Sequence, residues 1–302
     1  MITHPEKLLF PNDGITKGDL ASYYEAVAPY MVPLIKGRPI TMERYPSGIG
    51  AKGFMQKNVS RGFPASLQRV EVPKKGGVVN YPLVQESRDL LWLVNQNCIT
   101  PHVWTSRVPA LERPDICVFD LDPSQENSEA LRAVTLAVRD VLAEIGLASW
   151  VKTSGSKGFH IVVPLDGAAG FEEVVAFAHA VADVLIQHDP DHLTLQFLKA
   201  DRGGRIYMDI GRNTPGATIA APYAVRPRPG APVSAPCTWE EVERHDVHPQ
   251  SFTLPTMVER VATVGDLWAG MAGQSLTGPT RQIQQLGGEL LVPVIRRFGP
   301  RG

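Results

Sequence analysis

Cysteine is scarce in this sequence, and the cysteines present form no pattern. Cys98, Cys117 and Cys237 are odd in number, lie far apart and include no C-x-x-C pair. Their spacing argues against a disulfide framework and against a zinc knuckle, because both need paired or closely spaced thiols. We therefore expect three buried, reduced thiols.

Long apolar runs and a strong net charge are also missing. No run approaches the length of a membrane span, and the opening MITHPEKLLFPNDG lacks the basic, apolar and small-residue order of a secretory signal. We therefore expect a cytoplasmic protein without membrane contact. A net charge of −1 and a pI near 6.7 do not by themselves indicate a nucleic-acid-binding protein.

The charge is nevertheless unevenly distributed along the chain. Residues 40–80 contain seven lysines and arginines, among them Lys57, against two glutamates. Residues 195–230 contain six, among them Lys199 and Arg202, against two aspartates. Either cluster alone fits a solvated surface, but two clusters on either side of an acidic centre are harder to explain in that way.

The acidic centre is the segment DICVFDLDPS, residues 115–124. Side chains alternate along a strand, so Ile116, Val118, Asp120 and Asp122 share one face, which changes from apolar to acidic. Two carboxylates this close repel each other unless a cation neutralises them. A strand end at which aspartates reach water would give the same pattern, and a divalent metal is the alternative that explains the pair.

From residue 115 onward the apolar periodicity predicts the order strand, helix, strand, strand, helix, strand. Helices are expected over residues 126–145 and 171–185, and strands over 149–153, 159–165, 193–198 and 205–210. This order is the split β-α-β arrangement of RNA-recognition and palm-like catalytic domains, an α+β fold.

The first hundred residues predict a different unit. It has a helix from about Thr16, strands over 39–44 and 78–84, a helix over 87–97 and a strand toward Trp104. We assign residues 1–114 to an N-terminal α/β module packed against the catalytic module 115–230. Residues 231–302 are expected to be C-terminal helical trim with a peripheral tail.

A third acid, Asp209, lies late in the strand of GGRIYMDIG. If its strand neighbours the strand of Asp120 and Asp122, the three carboxylates can converge on two cations about 4 Å apart, as in two-metal phosphoryl transfer. Carboxylate ligands suit magnesium or manganese rather than zinc.

Between these acids in the sequence lies TSGSKGFH, residues 153–160. Gly155 and Gly158 let backbone N–H groups approach a ligand, and Lys157 supplies a positive charge, as in a polyphosphate-binding loop. Most glycine hairpins have no such function, and a lone His160 could be purely structural. The position of the loop between two acidic strands favours the functional interpretation.

These motifs together resemble a known family. VFDLDPS, TSGSKGFHI, IYMDIGRN and IAAPYAVRPR, in this order and spacing, resemble the polymerase domain of bacterial DNA ligase D, in the archaeo-eukaryotic primase superfamily. KLLFPNDGITKGDLASYY and GRPITMERYPSG resemble the opening of that domain, so the resemblance runs from about residue 5 to about residue 270.

The resemblance implies a primase-polymerase fold and a template-dependent nucleotidyltransferase that fills gaps or extends ends in non-homologous end joining and prefers ribonucleotides. It implies two Mn²⁺ or Mg²⁺ ions held by the catalytic residues Asp120, Asp122 and Asp209. The nucleoside triphosphate would be bound by Ser154, Ser156, Lys157, His160, His102 and Arg226.

The resemblance also implies DNA contacts. Lys7 and Lys17 match the family's pair for a 5′-phosphate across a gap, and Lys17 lies in a first helical turn that Thr16 can cap, where unpaired N–H groups attract anions. Some members place two phenylalanines against the templating base, whereas this chain has Phe54-Met55, which packs less rigidly. The remaining predicted DNA contacts are Lys57, Lys199 and Arg202.

The expected partners are gapped or broken DNA with a 5′-phosphate, nucleoside triphosphates, Ku and a DNA ligase. The chain is expected to act as a monomer at the bacterial nucleoid. Two other functions stay open. A haloacid-dehalogenase-type phosphatase also has a strand ending in D-x-D, but Gly-Thr normally follows where this chain has Pro123-Ser124. A non-catalytic DNA end-binding module of the same fold would not need all three acids.

Overall fold

The structure is a computed structural model that describes residues 2–59 and 62–292. The described residues form the α-helices α1 (Lys17–Ile35), α2 (Ser87–Asn95), α3 (Ser128–Glu144), α4 (Phe171–His188), α5 (Trp239–Glu243), α6 (Leu254–Val264) and α7 (Thr277–Gln285). None of these described helices is long and apolar enough to cross a membrane.

The same residues form fourteen strands, and helices and sheets together confirm the predicted α+β class. The strands are β1 (Leu8–Phe10), β2 (Ile15–Thr16), β3 (Ile40–Arg44), β4 (Phe54–Gln56), β5 (Arg69–Lys74), β6 (Gly77–Pro82), β7 (Cys98–Trp104), β8 (Ile116–Pro123), β9 (Trp150–Thr153), β10 (Phe159–Pro164), β11 (Leu193–Thr194), β12 (Ile206–Asp209), β13 (Thr218–Ala220) and β14 (Pro236–Cys237). Short 3₁₀ helices follow β11 and β12, at Lys199–Asp201 and Ile210–Asn213.

The chain divides into two compact units whose segments alternate along the sequence. The first unit comprises Met1–Leu111, Trp150–His160 and Thr218–Met271. The second unit comprises Glu112–Ser149, Ile161–Ala217 and Ala272–Gly302.

The predicted boundaries after residues 114 and 230 therefore divide the chain differently from the compact units. The physical reason is strand pairing: β9 pairs with β14 through Lys152 opposite Pro236, which ties residues 150–160 to a segment far along the chain. The assignment of catalysis to residues 115–230, and of a separate module to residues 1–114, stays a prediction.

The second unit contains a sheet with the strand order β11-β12-β8-β10. Helices α3 and α4 pack against each other and against β8. Helix α3 begins where Asn127 Oδ1 accepts a hydrogen bond from Ala130 N at 3.0 Å, and it ends at Glu144, just before Gly146 takes a positive φ. Its buried face contains the apolar residues that the helical spacing predicted, Leu131, Val134, Val138 and Leu142.

One predicted strand of the second unit is too long. The expected strand over 193–198 ends at Thr194, because Thr194 Oγ1 accepts a hydrogen bond from Gln196 N at 3.1 Å and turns the chain. Phe197 and Leu198 follow with exposed side chains, and the 3₁₀ helix begins at Lys199.

The first unit contains a sheet with the order β13-β7-β3-β4 and a separate hairpin of β5 and β6. Helix α1 packs against α2 and α6. It begins in a capping box, in which Thr16 Oγ1 accepts from Asp19 N and the Asp19 carboxylate accepts from Thr16 N. The predicted helices and the predicted strands near residues 40 and 80 are present, whereas strands β4 and β5 were not expected.

The cysteine prediction is confirmed. Cys98, Cys117 and Cys237 are buried and free. Burial raises the pKa of all three thiols, in the case of Cys237 to about 12, so they are protonated and unreactive at neutral pH.

Candidate active site

The three predicted catalytic acids lie on two neighbouring strands of the second unit. Strands β8 and β12 pair antiparallel, with Asp209 directly opposite Asp120 and Tyr207 opposite Asp122. Because directly opposed residues share a sheet face, and so do residues two apart in a strand, all three carboxylates lie on one face. The condition set by the sequence, that the two strands be neighbours, is confirmed.

Two arginines neutralise these carboxylates. Arg212 Nε lies 3.1 Å from Asp120 Oδ2, and Arg212 Nη2 lies 3.0 Å from Asp209 Oδ2. Arg202 Nη1 lies 3.0 Å from Asp122 Oδ2. The sequence analysis missed Arg212, although its position three residues after Asp209, in the segment DIGRN, is the spacing at which two side chains on one helical turn meet.

Burial and neighbouring charge oppose each other at this face. Burial raises the pKa of the Asp209 carboxyl, the Arg212 guanidinium lowers it, and Asp120 raises it again, with a net increase above the usual value. The same two carboxylates raise the pKa of Arg212 although its burial acts in the opposite sense. Asp209 also accepts hydrogen bonds from Gly211 N at 3.0 Å and Tyr207 Oη at 3.2 Å.

The three carboxylates have the ligand chemistry that a hard divalent cation such as Mg²⁺ or Mn²⁺ prefers, and all three lie on the same face of the sheet. Within residues 2–59 and 62–292, however, no group of three or more His, Cys, Asp or Glu side chains is arranged to hold a metal ion. Each of the three carboxylates is instead paired with an arginine. The assignment of these acids as metal ligands stays a prediction.

The loop predicted to bind polyphosphate lies in the first unit and has a tight internal geometry. Ser154 N donates to Gly158 O at 2.9 Å, and Ser154 Oγ accepts from Ser156 N and Gly158 N, both at 3.1 Å. These two N–H groups are therefore already hydrogen-bonded, whereas the Lys157 side chain is exposed. A phosphate at this loop would meet the lysine rather than an open row of N–H groups.

Gly155 brings this loop against the segment of Arg226. Its φ is +63°, and a Cβ at this position would lie 2.6 Å from Arg226 Cγ and 2.9 Å from the Val233 carbonyl carbon. Only glycine allows this approach, so the turn holds two predicted nucleotide-binding elements of the first unit together.

His160 and His102, the predicted nucleotide-binding histidines, each contact an ionisable side chain through one ring nitrogen. His160 is buried, with Nδ1 2.9 Å from Lys152 Nζ. His102 Nε2 lies 2.9 Å from Glu43 Oε2. Burial would raise the pKa of Glu43, but the hydrogen bond and charge of His102, with Arg226, hold it below its usual value. The sequence analysis missed Lys152 and Glu43, because neither belongs to a motif.

The predicted template-side residues are exposed in the first unit. Phe54 and Met55 lie on β4 with 47% and 49% of their surface accessible, and Lys57 follows just beyond the strand, also exposed. The Arg44 guanidinium lies 5.3 Å from the centre of the Phe54 ring and supports one side of it. An exposed aromatic ring held in this way can stack on a base.

Lys17 differs from what the sequence suggested. Its side chain is only 3% exposed. Its Nζ donates to Thr3 O and Asn95 O, both at 2.8 Å, and to Asn95 Oδ1 at 3.0 Å. Burial and the nearby Lys7 lower its pKa.

The first turn of α1 is also not open to an anion. Lys17 N donates to Lys7 O at 2.8 Å, Gly18 N donates to Pro5 O at 2.8 Å, and Asp19 N donates to the Thr16 hydroxyl. The expectation of unpaired N–H groups there is wrong, because the N-terminal segment folds back and caps the helix. The assignment of Lys7 and Lys17 to a 5′-phosphate stays a prediction without that support.

Lys199 and Arg202, predicted to contact the primer, lie in the second unit. Lys199 is exposed at the start of the 3₁₀ helix. Arg202 is buried and stacks on the Tyr207 ring at 4.3 Å, with further hydrogen bonds to the carbonyl groups of Gln196 and Phe197. Its guanidinium therefore has a structural role in addition to any contact with DNA.

Each unit holds its own part of the predicted residues. The second unit holds the acids and the predicted primer contacts: Asp120, Asp122, Asp209, Lys199 and Arg202. The first unit holds the predicted nucleotide, template and 5′-phosphate contacts: Ser154, Ser156, Lys157, His160, His102, Arg226, Phe54, Met55, Lys57, Lys7 and Lys17. Carboxylates on one sheet face in the second unit, and basic and aromatic side chains in the first unit, are residue types that nucleotidyltransferases use.

Comparison with known proteins identifies the family. The family model of the LigD primase-polymerase domain matches residues 16–268. The polymerase domain of Mycobacterium tuberculosis ligase D, solved in complex with DNA, superposes with a TM-score of 0.85 and 33% identity, covering 90% of this chain and 97% of that one.

Two curated relatives are proteins of non-homologous end joining. The multifunctional DNA repair protein LigD of M. tuberculosis is 35% identical over 88% of this chain and 36% of its own length. The multifunctional protein LigD of Pseudomonas aeruginosa is 32% identical over 95% of this chain and 34% of its own length. The chain thus spans about a third of these relatives. It belongs to the LigD primase-polymerase domain family.

Proposed function

We propose that this chain adds nucleotides, preferably ribonucleotides, to primer ends at gaps and breaks in DNA during non-homologous end joining. The observation that carries the proposal is the register of β8 and β12, which sets Asp209 opposite Asp120 with Asp122 on the same face. Family membership supports the polymerase class. It also argues against the phosphatase alternative, and the three acids argue against a non-catalytic module.

In this proposal Asp120, Asp122 and Asp209 bind two Mn²⁺ or Mg²⁺ ions, with Arg202 and Arg212 giving up their carboxylate contacts. When bound, such ions lower the pKa of the attacking hydroxyl and neutralise charge on the triphosphate. The remaining chemistry belongs to the side chains of the chain itself.

The first unit would bind the nucleotide. Lys157, exposed on its tight loop, would supply a positive charge to the triphosphate, and the buried His160 would donate a directional hydrogen bond. The Ser154 oxygen accepts hydrogen bonds from two backbone N–H groups, so its own hydroxyl proton would be the one to donate to the triphosphate. Ser156, His102 and Arg226 complete the predicted nucleotide contacts.

DNA would be held by exposed aromatic and basic groups together with two largely buried side chains, Arg202 and Lys17. Phe54 and Met55 would pack on the templating base, and Lys57 and Lys199 would contact the phosphate backbone. Arg202 would position the primer end, and Lys7 with Lys17 would recognise a 5′-phosphate. We further propose Ku and a DNA ligase as partners and a monomer acting at the bacterial nucleoid. The relatives' role in end joining supports the choice of pathway.

The proposal is tested by extension of a primer on a duplex with a short gap and a downstream 5′-phosphate. Ribonucleotides and deoxynucleotides are supplied separately, each with Mn²⁺ or Mg²⁺, and a chelator serves as the control. We expect metal-dependent addition of the complementary nucleotide, faster with the ribonucleotide. Absence of templated addition with either metal would contradict the proposal, and faster deoxynucleotide addition would contradict the sugar preference.

A further inference from the structure

A lysine that no motif includes is completely buried in the first unit. Lys152, in β9, has 0% of its surface exposed. Its Nζ lies 2.5 Å from Ser234 Oγ, 3.1 Å from Ala220 O and 2.9 Å from His160 Nδ1. Burying an amine is strongly unfavourable unless its hydrogen bonds are satisfied, so the fold must supply these three contacts to accommodate Lys152.

The direction of two of these hydrogen bonds is fixed by chemistry. The Ala220 carbonyl can only accept. Ser234 Oγ donates its own proton to Thr153 O at 3.0 Å, so toward Lys152 it must accept as well. Lys152 therefore donates two protons to oxygen atoms, and one further proton lies between Nζ and His160 Nδ1, on one nitrogen or the other.

The charge of the Lys152–His160 pair then depends only on whether His160 Nε2 carries a proton. If Nε2 is protonated, the pair has one positive charge, on whichever nitrogen the shared proton lies, and Nε2–H is a hydrogen-bond donor. If Nε2 carries no proton, the pair is neutral and Nε2 can only accept. A triphosphate offers only acceptors and negative charge near neutral pH, so it favours the first arrangement.

The surroundings of Lys152 are rigid. Thr153 N donates to Ala235 O at 2.9 Å, and Ser234 N donates to Ala224 O at 2.9 Å. The segment that supplies Ser234 is thus hydrogen-bonded to β9 and to residue 224, and it keeps the Lys152 amine directed at His160. Lys152, fully buried, acts through His160 rather than by touching a ligand.

We propose that Lys152 is a positioning residue, which gives His160 a shared positive charge and fixes its Nε2–H as a donor to the polyphosphate of the incoming nucleotide. The inference rests on the proposed function, since it takes His160 as a triphosphate contact. It assigns to the residue before the TSGSKGFH motif a role that the motif itself does not contain.

The proton arrangement is tested by NMR on the whole chain labelled with ¹⁵N-histidine, with the His160 signals assigned by their loss in His160→Gln. In the wild type we expect a protonated Nε2 near neutral pH. In Lys152→Met, whose apolar side chain has similar length, we expect the neutral ring to become a mixture of tautomers. An unprotonated Nε2 in the wild type would overturn the proposal, and so would identical ring signals in a folded Lys152→Met. The wild-type spectrum decides even if that variant does not fold.

The functional coupling is tested by a double-mutant cycle. The KM for the complementary ribonucleoside triphosphate is measured on a gapped duplex for wild type, Lys152→Met, His160→Gln and the double variant. We expect Lys152→Met to raise the KM roughly tenfold to a hundredfold, the range for losing a charged hydrogen bond. In the His160→Gln background the same change should have little further effect.

Lys36→Met, which removes an exposed lysine of the first unit, is the matched control and should leave the KM unchanged. Effects of Lys152→Met that are equal in both backgrounds would overturn the proposal while leaving the proposed function intact. A wild-type protein without templated nucleotide addition would instead contradict the proposed function.

Discussion

At the scale of single residues, the two lysines predicted to recognise a 5′-phosphate occupy different environments. Lys17 is buried with its amine hydrogen-bonded to Thr3 and Asn95, whereas Lys7 is partly exposed. We predict that Lys17→Ala lowers the free energy of unfolding by about 1–3 kcal/mol, because it removes a buried side chain whose amine satisfies partly buried acceptors on Thr3 and Asn95. Lys7→Ala should leave stability almost unchanged. Urea unfolding of both variants measures the difference.

Binding measurements complete this prediction. Gapped duplexes with and without the 5′-phosphate are compared for wild type, Lys7→Ala and a Lys7→Ala, Lys17→Ala double variant. We expect the preference for phosphorylated ends to fall at least tenfold in the double variant and to shrink as salt rises. An unchanged preference would leave both lysines without a role in recognition, and equal stability of the two single variants would contradict the structural account of Lys17.

The Glu43–His102 contact predicts a pH dependence of stability. The pKa of Glu43 in the folded protein lies below its usual value of 4.5, so folding favours the ionised carboxylate. The stabilisation is therefore complete above pH 4.5 and is lost as the pH falls through the lower folded value. The free energy of unfolding of wild type should exceed that of Glu43→Gln at pH 7, and the gap should narrow below pH 4.5. A gap independent of pH would contradict this.

The residue scale also marks the limit of the sequence analysis. The alternation of a strand was enough to set Asp120 and Asp122 on one face and to predict a second strand ending in Asp209, whereas the pairing of the two strands was only a condition until the structure showed it. The pairing of Asp122 with Arg202, of His160 with Lys152 and of His102 with Glu43 was not predictable, because each pair joins distant segments of the chain or residues outside any motif. Lys17 shows the same limit, since its acceptor Asn95 lies 78 residues away.

At the scale of elements, the turn at Gly155 is the sharpest constraint. We predict that Gly155→Ala destabilises the protein by about 1–3 kcal/mol and raises the nucleotide KM, because the new Cβ meets Arg226 and Val233 at a positive φ. Gly230→Ala is the matched control: its φ is +78°, but nothing lies within 4 Å of the new Cβ. Thermal unfolding and primer extension measure both effects. Equal results for the two variants would show that the contact with Arg226 is unimportant.

Elements with a strong apolar period were predictable, and short elements were not. Helices α3 and α4 were expected within a few residues of their observed bounds, because many buried residues recur at helical spacing. Strand β4 has only three residues, all exposed or half-buried, and β5 alternates only at Val70 and Val72 before Pro73 and is mostly exposed, so neither was predicted. The end of β11 at Thr194 depends on a side-chain hydrogen bond that periodicity does not reveal.

At the scale of the whole molecule, segments of the two compact units alternate along the sequence. The predicted catalytic module 115–230 lacks Pro236–Cys237, the partner strand of β9, and most of the third segment of the first unit. We predict that a fragment of residues 115–230 does not fold independently. Its circular dichroism and resistance to proteolysis would be compared with those of the full chain, and a fragment with a cooperative unfolding transition would contradict the prediction.

The same interleaving explains why the domain boundaries were not readable from the sequence. The two basic clusters at residues 40–80 and 195–230 do not coincide with the limits of the compact units, and strands β9 and β10 continue the strand pattern of the predicted catalytic module. Its long-range pairing with β14 and the hydrogen bonds of Lys152 to Ala220 and Ser234 draw residues 150–160 into the first unit. Only contacts between distant segments contain that information.

The central claim is that the carboxylates of β8 and β12 carry metal-dependent nucleotide addition. The most direct test is primer extension on a gapped duplex by Asp120→Asn, Asp122→Asn and Asp209→Asn, which keep the side-chain volume and remove the charge. Asp140→Asn, an exposed aspartate on α3 of the same unit, is the matched control. With folding verified by circular dichroism, we expect each of the three variants to lose several powers of ten in rate and the control to keep wild-type activity. Near-normal addition by Asp209→Asn would contradict the account.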